Sequence, residues 1–287
     1  MLDAMDSDMD SDMDSDMDSE LTLMAVHAHP DDEVLGTGGV FARYAGEGIR
    51  TVLVTCTNGE QGDGPDGVKP GEPGHDEVAV RETRLAELRE SVAHLGIEHV
   101  ELLGYRDSGM AGWDANEDKD VFSNVPIEES TARLAALMEK YRPQVVVTYD
   151  ENGAYGHPDH IQAHRIAVAA AEATGIPRKF YYTAVPRSRF RRLMELMREA
   201  GEDFGGEELP EDFGTPDELV TTVVDVMPYA ERKQKALEAH ASQGDNMFFL
   251  RMQEEILRQV LGTEAFTRTR SDVAVPEQED DLFAGLR

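Results

Sequence analysis

The sequence predicts an α/β fold: a Rossmann-like, mainly parallel sheet with helices on both faces. Short apolar runs of strand length recur at residues 21–28, 51–57, 99–103, 144–149 and 180–185. Most are continuous rather than alternating, as strands buried on both faces read. Stretches with helical character separate them, and strand alternating with helix is the pattern of a parallel sheet. Polar clusters rich in His and Asp follow two of the strands, at the ends where open α/β sheets place ligands.

Taken in order, residues 1–20 hold nine Asp/Glu and no Lys or Arg, with Asp-Ser-Asp-Met repeated from Asp6 to Ser19. That segment has too little apolar surface to fold and is expected to be a disordered acidic tail, with residues 21–287 forming a single domain. A strand at 21–28 leads into a helix at 34–45. Gly36, Gly38 and Gly39 lack the Gly-x-Gly-x-x-Gly spacing of a dinucleotide-binding loop, so they are read as sites of close helix–sheet packing. A strand at 51–57 precedes a Gly/Pro-rich loop at 58–74, expected to border the site. Helix 77–95, strand 99–103, helix 127–141, strand 144–149, helix 161–173 and strand 180–185 continue the alternation. Residues 186–200 form a basic amphipathic stretch, 201–216 an acidic, Gly-rich surface insertion, and 219–225 and 229–240 a further strand and helix.

Composition narrows the function. The 287 residues are 40% hydrophobic, enough for a substantial core. One cysteine excludes an intrachain disulfide and a multi-cysteine metal site, and fits a reducing compartment. No apolar run reaches the roughly 18 residues of a membrane helix, and the acidic start is unlike a signal peptide, so a soluble, cytoplasmic protein without a membrane partner is expected. The net charge is −31, and residues 21–287 alone carry 49 acidic against 27 basic residues. Such a field repels nucleic acid. Only six of the 27 basic residues are Lys, which suits a salt-adapted proteome or an acidic protein from a high-GC genome equally. Arg187, Arg189, Arg191 and Arg192 read first as a solvated helix face, and second as a contact for an anion or a subunit.

The chemistry concentrates in His27-Ala28-His29-Pro30-Asp31-Asp32-Glu33 and in Tyr155-Gly156-His157-Pro158-Asp159-His160. Catalytic zinc takes three protein ligands and keeps a fourth position open. His29, Asp32 and His160 can supply them, leaving Asp31 as a base and His157 facing the reacting group. Singly, each residue has a plainer reading: a loop histidine, or an aspartate capping a helix. His164 follows His160 by one helical turn and is an alternative ligand or a supporting residue, and His27 a supporting residue on the strand. Cys56 lies in an apolar strand and Ser108 has no neighbouring His signature, so neither reads as a nucleophile.

His29-Pro30-Asp31-Asp32-Glu33 with His157-Pro158-Asp159-His160 resembles the LmbE-like (PIG-L) family of zinc de-N-acetylases. Gly104-Tyr105-Arg106-Asp107-Ser108-Gly109-Met110, residues 235–243 and residues 281–285 resemble its mycothiol branch. That branch contains a deacetylase of N-acetylglucosaminyl inositol and an amidase of mycothiol S-conjugates. The resemblance implies Zn2+, with Fe2+ as the alternative metal, held by His29, Asp32 and His160. It makes Asp31 the general base. His157 would stabilise the oxyanion or protonate the leaving amine, Asp159 would orient its ring, and Tyr155 would help polarise the amide carbonyl. Arg81, Asp107, Met110 and His240 would hold an amino-sugar conjugate. Gly36 stands where the amidase branch carries a lysine, which favours the deacetylase. A non-catalytic metal or sugar binder is the alternative from another class. The oligomeric state is left open.

Overall fold

The strands are β1 (Thr22–His27), β2 (Arg50–Thr57), β3 (His99–Tyr105), β4 (Val145–Thr148), β5 (Lys179–Ala184), β6 (Thr222–Asp225) and β7 (Thr263–Ser271). In this computed structural model, which describes residues 20–201 and 213–287, they form one sheet in the order β3-β2-β1-β4-β5-β7-β6. The expected acidic tail, but for its last residue, and most of the expected insertion at 201–216 lie outside the described residues. Strands β1 to β5 pair in parallel, whereas β7 runs antiparallel to both β5 and β6.

The helices are α1 (Asp32–Gly46), α2 (Glu77–Leu95), α3 (Ile127–Tyr141), α4 (Pro158–Thr174), α5 (Arg187–Ala200), α6 (Ala230–Ala239), α7 (Gly244–Leu250) and α8 (Glu254–Leu261). Successive side chains of a strand point to opposite faces. Leu23 and Ala25 of β1 join Val34, Phe41, Leu88 and Leu237 in one core layer, under α1, α2 and α6. Met24 and Val26 join Leu134, Met138, Ile166 and Ala170 in the other, under α3 and α4. Two covered faces explain why the central strands read as unbroken apolar runs. Among the described residues, no helix is long and apolar enough to cross a membrane.

β7 is not legible in the sequence because Thr263–Ser271 holds only two apolar residues, Ala265 and Phe266, among Thr, Glu, Arg and Ser. Its charges are used locally. Glu264 is buried, accepts the N–H groups of Gly39 and Val40 at 2.7 and 2.8 Å, and pairs with Lys233 Nζ at 2.6 Å. Lys233 also donates to the Leu35 carbonyl at 2.8 Å. The expected strand at 219–225 begins only at Thr222, because Asp217–Leu219 forms a single helical turn. Close packing at the glycines of α1 is borne out: a Cβ on Gly39 would lie 2.4 Å from Val226 Cγ2. Glu264→Ala should therefore strand a buried ammonium and two backbone donors. A loss of about 3–5 kcal/mol is expected for breaking such a pair from one side, measurable by urea denaturation.

Strands β1, β2 and β3 step outward one way from the centre, and β4 and β5 step the other. The topological switch therefore falls between β1 and β4, and the crevice beyond their carboxyl ends is the expected ligand position.

Candidate active site

β1 ends at His27 and its neighbour β4 at Thr148, so the loops that follow leave the sheet side by side. The first carries His29 and Asp31 and delivers Asp32 in the opening turn of α1. The second passes Tyr149 and a tight turn at Gly153–Gly156 before reaching His157 and α4. Asp150 Oδ1 holds that turn by accepting Asn152 and Ala154 N–H at 3.2 and 2.8 Å. Gly153 has φ 62°, and a Cβ there would lie 2.8 Å from His160 Cβ, so only glycine lets the turn close over α4.

His29, His157 and His160 are all buried, and each offers a ligand atom within 4.8 Å of the others; His29, Asp107 and Asp159 form a second, overlapping set. Carboxylates ring His29. Asp159 Oδ2 and Asp107 Oδ1 lie 3.2 and 3.5 Å from its Nε2, and Asp32 Oδ2 lies 3.3 Å from its Nδ1. Burial pushes the His29 pKa down, but Asp107, Asp159 and Asp32 raise it well above the ordinary value. Burial likewise works against the Asp32 charge, yet His160 and His29 hold this carboxyl well below the usual range. Asp32 also places Oδ1 3.4 Å from His160 Nε2, and its Oδ2 accepts the Tyr149 hydroxyl at 2.7 Å.

His160 decides whether a metal fits. Its imidazole is 1% exposed and stacked on Tyr149 at 4.1 Å between ring centres, yet neither ring nitrogen has a hydrogen-bond partner. A buried imidazole in that condition is costly unless something coordinates it. Nitrogen and carboxylate oxygen donors converging beside it are the donor set that a divalent cation such as zinc takes.

His157 caps α4, its Nδ1 accepting Asp159 N–H at 3.1 Å. The neutral ring therefore carries its proton on Nε2. Burial, reinforced by the neighbouring His29 and His160, pushes its pKa down to about 2. Asp159 was expected to orient this ring. The Asp159 backbone does so, because the ring is used as a helix cap, while the Asp159 carboxylate bonds His29 and accepts from Ser108 N–H at 2.9 Å and from the Ser108 hydroxyl.

Asp31 keeps 23% of its side chain exposed, and Arg84 Nη2 lies 3.0 Å from its Oδ1. Its φ of 100° and ψ of −29° are left-handed, a conformation that costs a non-glycine residue on the order of 1–3 kcal/mol. Burial, with Asp32 and Glu33 close by, raises its pKa against the opposing pull of Arg84. Tyr155 stands at the mouth, 56% exposed, with its ring 5.0 Å from that of His160 and 6.2 Å from that of His157.

The expected substrate-holding residues are dispersed. Arg81 is exposed on α2 in a surface groove with Val78, Glu82, Leu85 and Arg89; the arginine that reaches the site is Arg84, one turn further. Asp107 is 3% exposed and bonded to the Gly109 N–H at 2.8 Å as well as facing His29. His240 is fully buried and bonds Glu33 at 2.8 Å, so it reaches the site only through another side chain. Met110 is half-buried in the loop after Ser108. His27 bonds Thr37 and Tyr149 at 2.8 and 3.2 Å, and His164 bonds the Tyr149 carbonyl at 3.0 Å, so both buttress Tyr149.

Residues 24–171 match the family model described as PIG-L: GlcNAc-PI de-N-acetylase. The chain belongs to this family. The PIG-L relationship runs beyond the matched segment. A 1D-myo-inositol 2-acetamido-2-deoxy-alpha-D-glucopyranoside deacetylase of Geodermatophilus obscurus is 41% identical over 92% of this chain and 97% of its own. Among solved structures, the N,N'-diacetylchitobiose deacetylase of Pyrococcus horikoshii superposes with a TM-score of 0.57 at 18% identity, over 93% of this chain and 95% of that one. A 4-carboxy-2-hydroxymuconate hydratase of Pseudomonas putida superposes with a TM-score of 0.58 at 17% identity, over 89% of this chain and 99% of that one. At such identities the PIG-L fold is shared and nothing finer follows.

Proposed function

We propose that this protein is a zinc-dependent de-N-acetylase that hydrolyses the acetamide of an N-acetylglucosaminyl inositol-type conjugate. The observation that carries the reading is His160: buried, without a hydrogen-bond partner, and beside an Asp32 that also meets His29. The 41% identity to a deacetylase of that substrate class supports the choice of sugar.

In this reading His29, Asp32 and His160 hold the metal. A divalent cation bound there supplies Lewis acidity, polarising the amide carbonyl and acidifying water. Asp31 is the remaining partly exposed carboxylate, and its raised pKa suits a general base. It takes a proton from the attacking water as the C–O bond forms. His157 is neutral, with a pKa near 2, and donates a hydrogen bond from Nε2 to the developing oxyanion. His157 therefore serves as a donor rather than as the acid for the amine. Asp31 then passes its proton to the leaving nitrogen as the C–N bond breaks, releasing the free amine and acetic acid, which ionises in solution. Tyr155 at the mouth adds a second donor to the carbonyl oxygen.

The fit at Gly36 favours acetyl-sugar over thioether-conjugate cleavage. The glycine leaves no side chain there, and a Cβ would lie 3.2 Å from Thr183 Cγ2, so a larger residue needs Thr183 to give way by a few tenths of an ångström. The test is release of primary amine from N-acetylglucosaminyl inositol by zinc- or iron-loaded protein, with a mycothiol S-conjugate in parallel. Faster turnover of the acetyl sugar is expected; turnover of the conjugate alone would replace the reading with an amidase.

A further inference from the structure

Asp31 holds a φ of 100°, which L residues other than Asn and Asp rarely adopt. The direction of a side chain follows from its backbone angles, so this conformation sets where the Asp31 carboxylate points. Several groups clamp it. Glu33 Oε2 accepts the Asp31 N–H at 2.9 Å, Val34 N–H donates to the Asp31 carbonyl at 3.0 Å, and Arg84 donates to the preceding Pro30 carbonyl.

Glu33 is unlike a capping glutamate on a helix surface. It is 0% exposed, and its second oxygen accepts from the Ser91 hydroxyl and from His240 Nε2, the latter at 2.8 Å. A buried carboxylate is retained at a cost unless its partners are fixed. Here they come from the C-terminal part of α2 and from the loop after α6, 58 and 207 positions along the chain.

We propose that Glu33 is the positioning residue of the catalytic base: a strap, anchored on Ser91 and His240, that holds the Asp31 backbone in its left-handed conformation. The proposal rests on the reading of Asp31 as the base. Glu33 itself touches neither the metal position nor the substrate, and acts only through the Asp31 peptide. His240 acts one step further back, as an anchor of Glu33.

The test is a double-mutant cycle of Glu33→Gln and Asp31→Asn, read by kcat, KM and bound metal. Glu33→Gln keeps the volume but turns one of the two accepting oxygens into a donor. Displacing a base by about 1 Å costs on the order of 10- to 100-fold, and that loss is expected in kcat, with KM and metal content unchanged. In the Asp31→Asn background the same change should cost less than about twofold, because coupled residues are not additive. His240→Ala should lose activity alongside Glu33→Gln, and His240→Gln, which still presents a donor, should recover most of it. A crystal structure of the Glu33→Gln protein should show residue 31 at negative φ.

An equal loss in both backgrounds, loss of metal, or φ near +100° with unchanged kcat would overturn the strap. Should Glu33→Gln fail to fold, Ser91→Ala and His240→Ala carry the same cycle, and unchanged kcat in folded protein rejects the idea. If no N-acetyl sugar is turned over by the wild type, the deacetylase reading fails separately, while φ at residue 31 still decides the strap.

Discussion

Asp31→Asn is expected to lower kcat by about 10²- to 10⁴-fold, the range supplied by general-base catalysis, with bound metal and KM nearly unchanged. The amide keeps the shape of the carboxylate and tolerates left-handed φ, so the loop should stay in place. What is lost is proton acceptance and the charge that faces Arg84 at 3.0 Å. Asp32 meets both His29 and His160, at 3.3 and 3.4 Å, and the proposed ligand set leaves Asp31 as the base. The two neighbours should therefore fail differently: Asp31→Asn as a metal-loaded, inactive protein, and Asp32→Asn as one that loads metal poorly. Assay of amine release together with metal analysis separates them. Loss of metal from Asp31→Asn would move that residue into the ligand set and remove the proposed base.

His160→Ala should abolish turnover together with metal binding. Metal catalysis contributes several kcal/mol of charge stabilisation, so a fall of about 10³-fold or more is expected. Stability gives a second reading of the same variant. The variant gives up ring packing on Tyr149 and the 3.4 Å contact between His160 Nε2 and Asp32 Oδ1. A ligand that binds only the folded state stabilises it by RT ln(1 + [L]/Kd). Added zinc should therefore raise the melting temperature of the wild type and leave that of His160→Ala where it was. A variant that still responds to zinc would point to the other donor set, His29, Asp107 and Asp159.

The parts of the molecule legible in the sequence are those whose burial is set by strand and helix period. β1, β2 and β4 are apolar on both faces, so they read as strands, and the clusters at their ends follow from the sheet. Residues whose role arises from contacts across the fold were not legible. Tyr149 reads as the end of an apolar run, yet its hydroxyl bridges Ala28 N–H and Asp32. Ser108 reads as a loop serine, but it clamps Asp159 from 51 positions away. Arg84 did leave a trace: it interrupts the buried stripe Val80, Leu88 and Leu95 of α2, and a charge on an apolar stripe needs a partner inside. His240 was visible as part of a motif, but its complete burial was not, which is why a substrate contact was expected there. β7 was missed because a nearly all-polar run hides an internal strand whose buried Glu264 is satisfied by Lys233 and the backbone of α1, and whose Arg268 pairs with Glu279.

Chain order and spatial order cross at one edge of the sheet. β6 precedes β7 in the chain but pairs with no strand except β7, which is wedged between it and β5. As the polypeptide leaves the ribosome, β1 to β5 can assemble side by side while β6 has no neighbour to join. Its backbone groups on the edge that faces β7 remain open until residues 263–271 have been made, and those on the other edge until Glu279 follows. Non-local pairing of this kind slows folding and leaves a strand edge exposed in the meantime. When that antiparallel strand arrives, Glu264 comes with it to neutralise Lys233 on the helix that leads to His240.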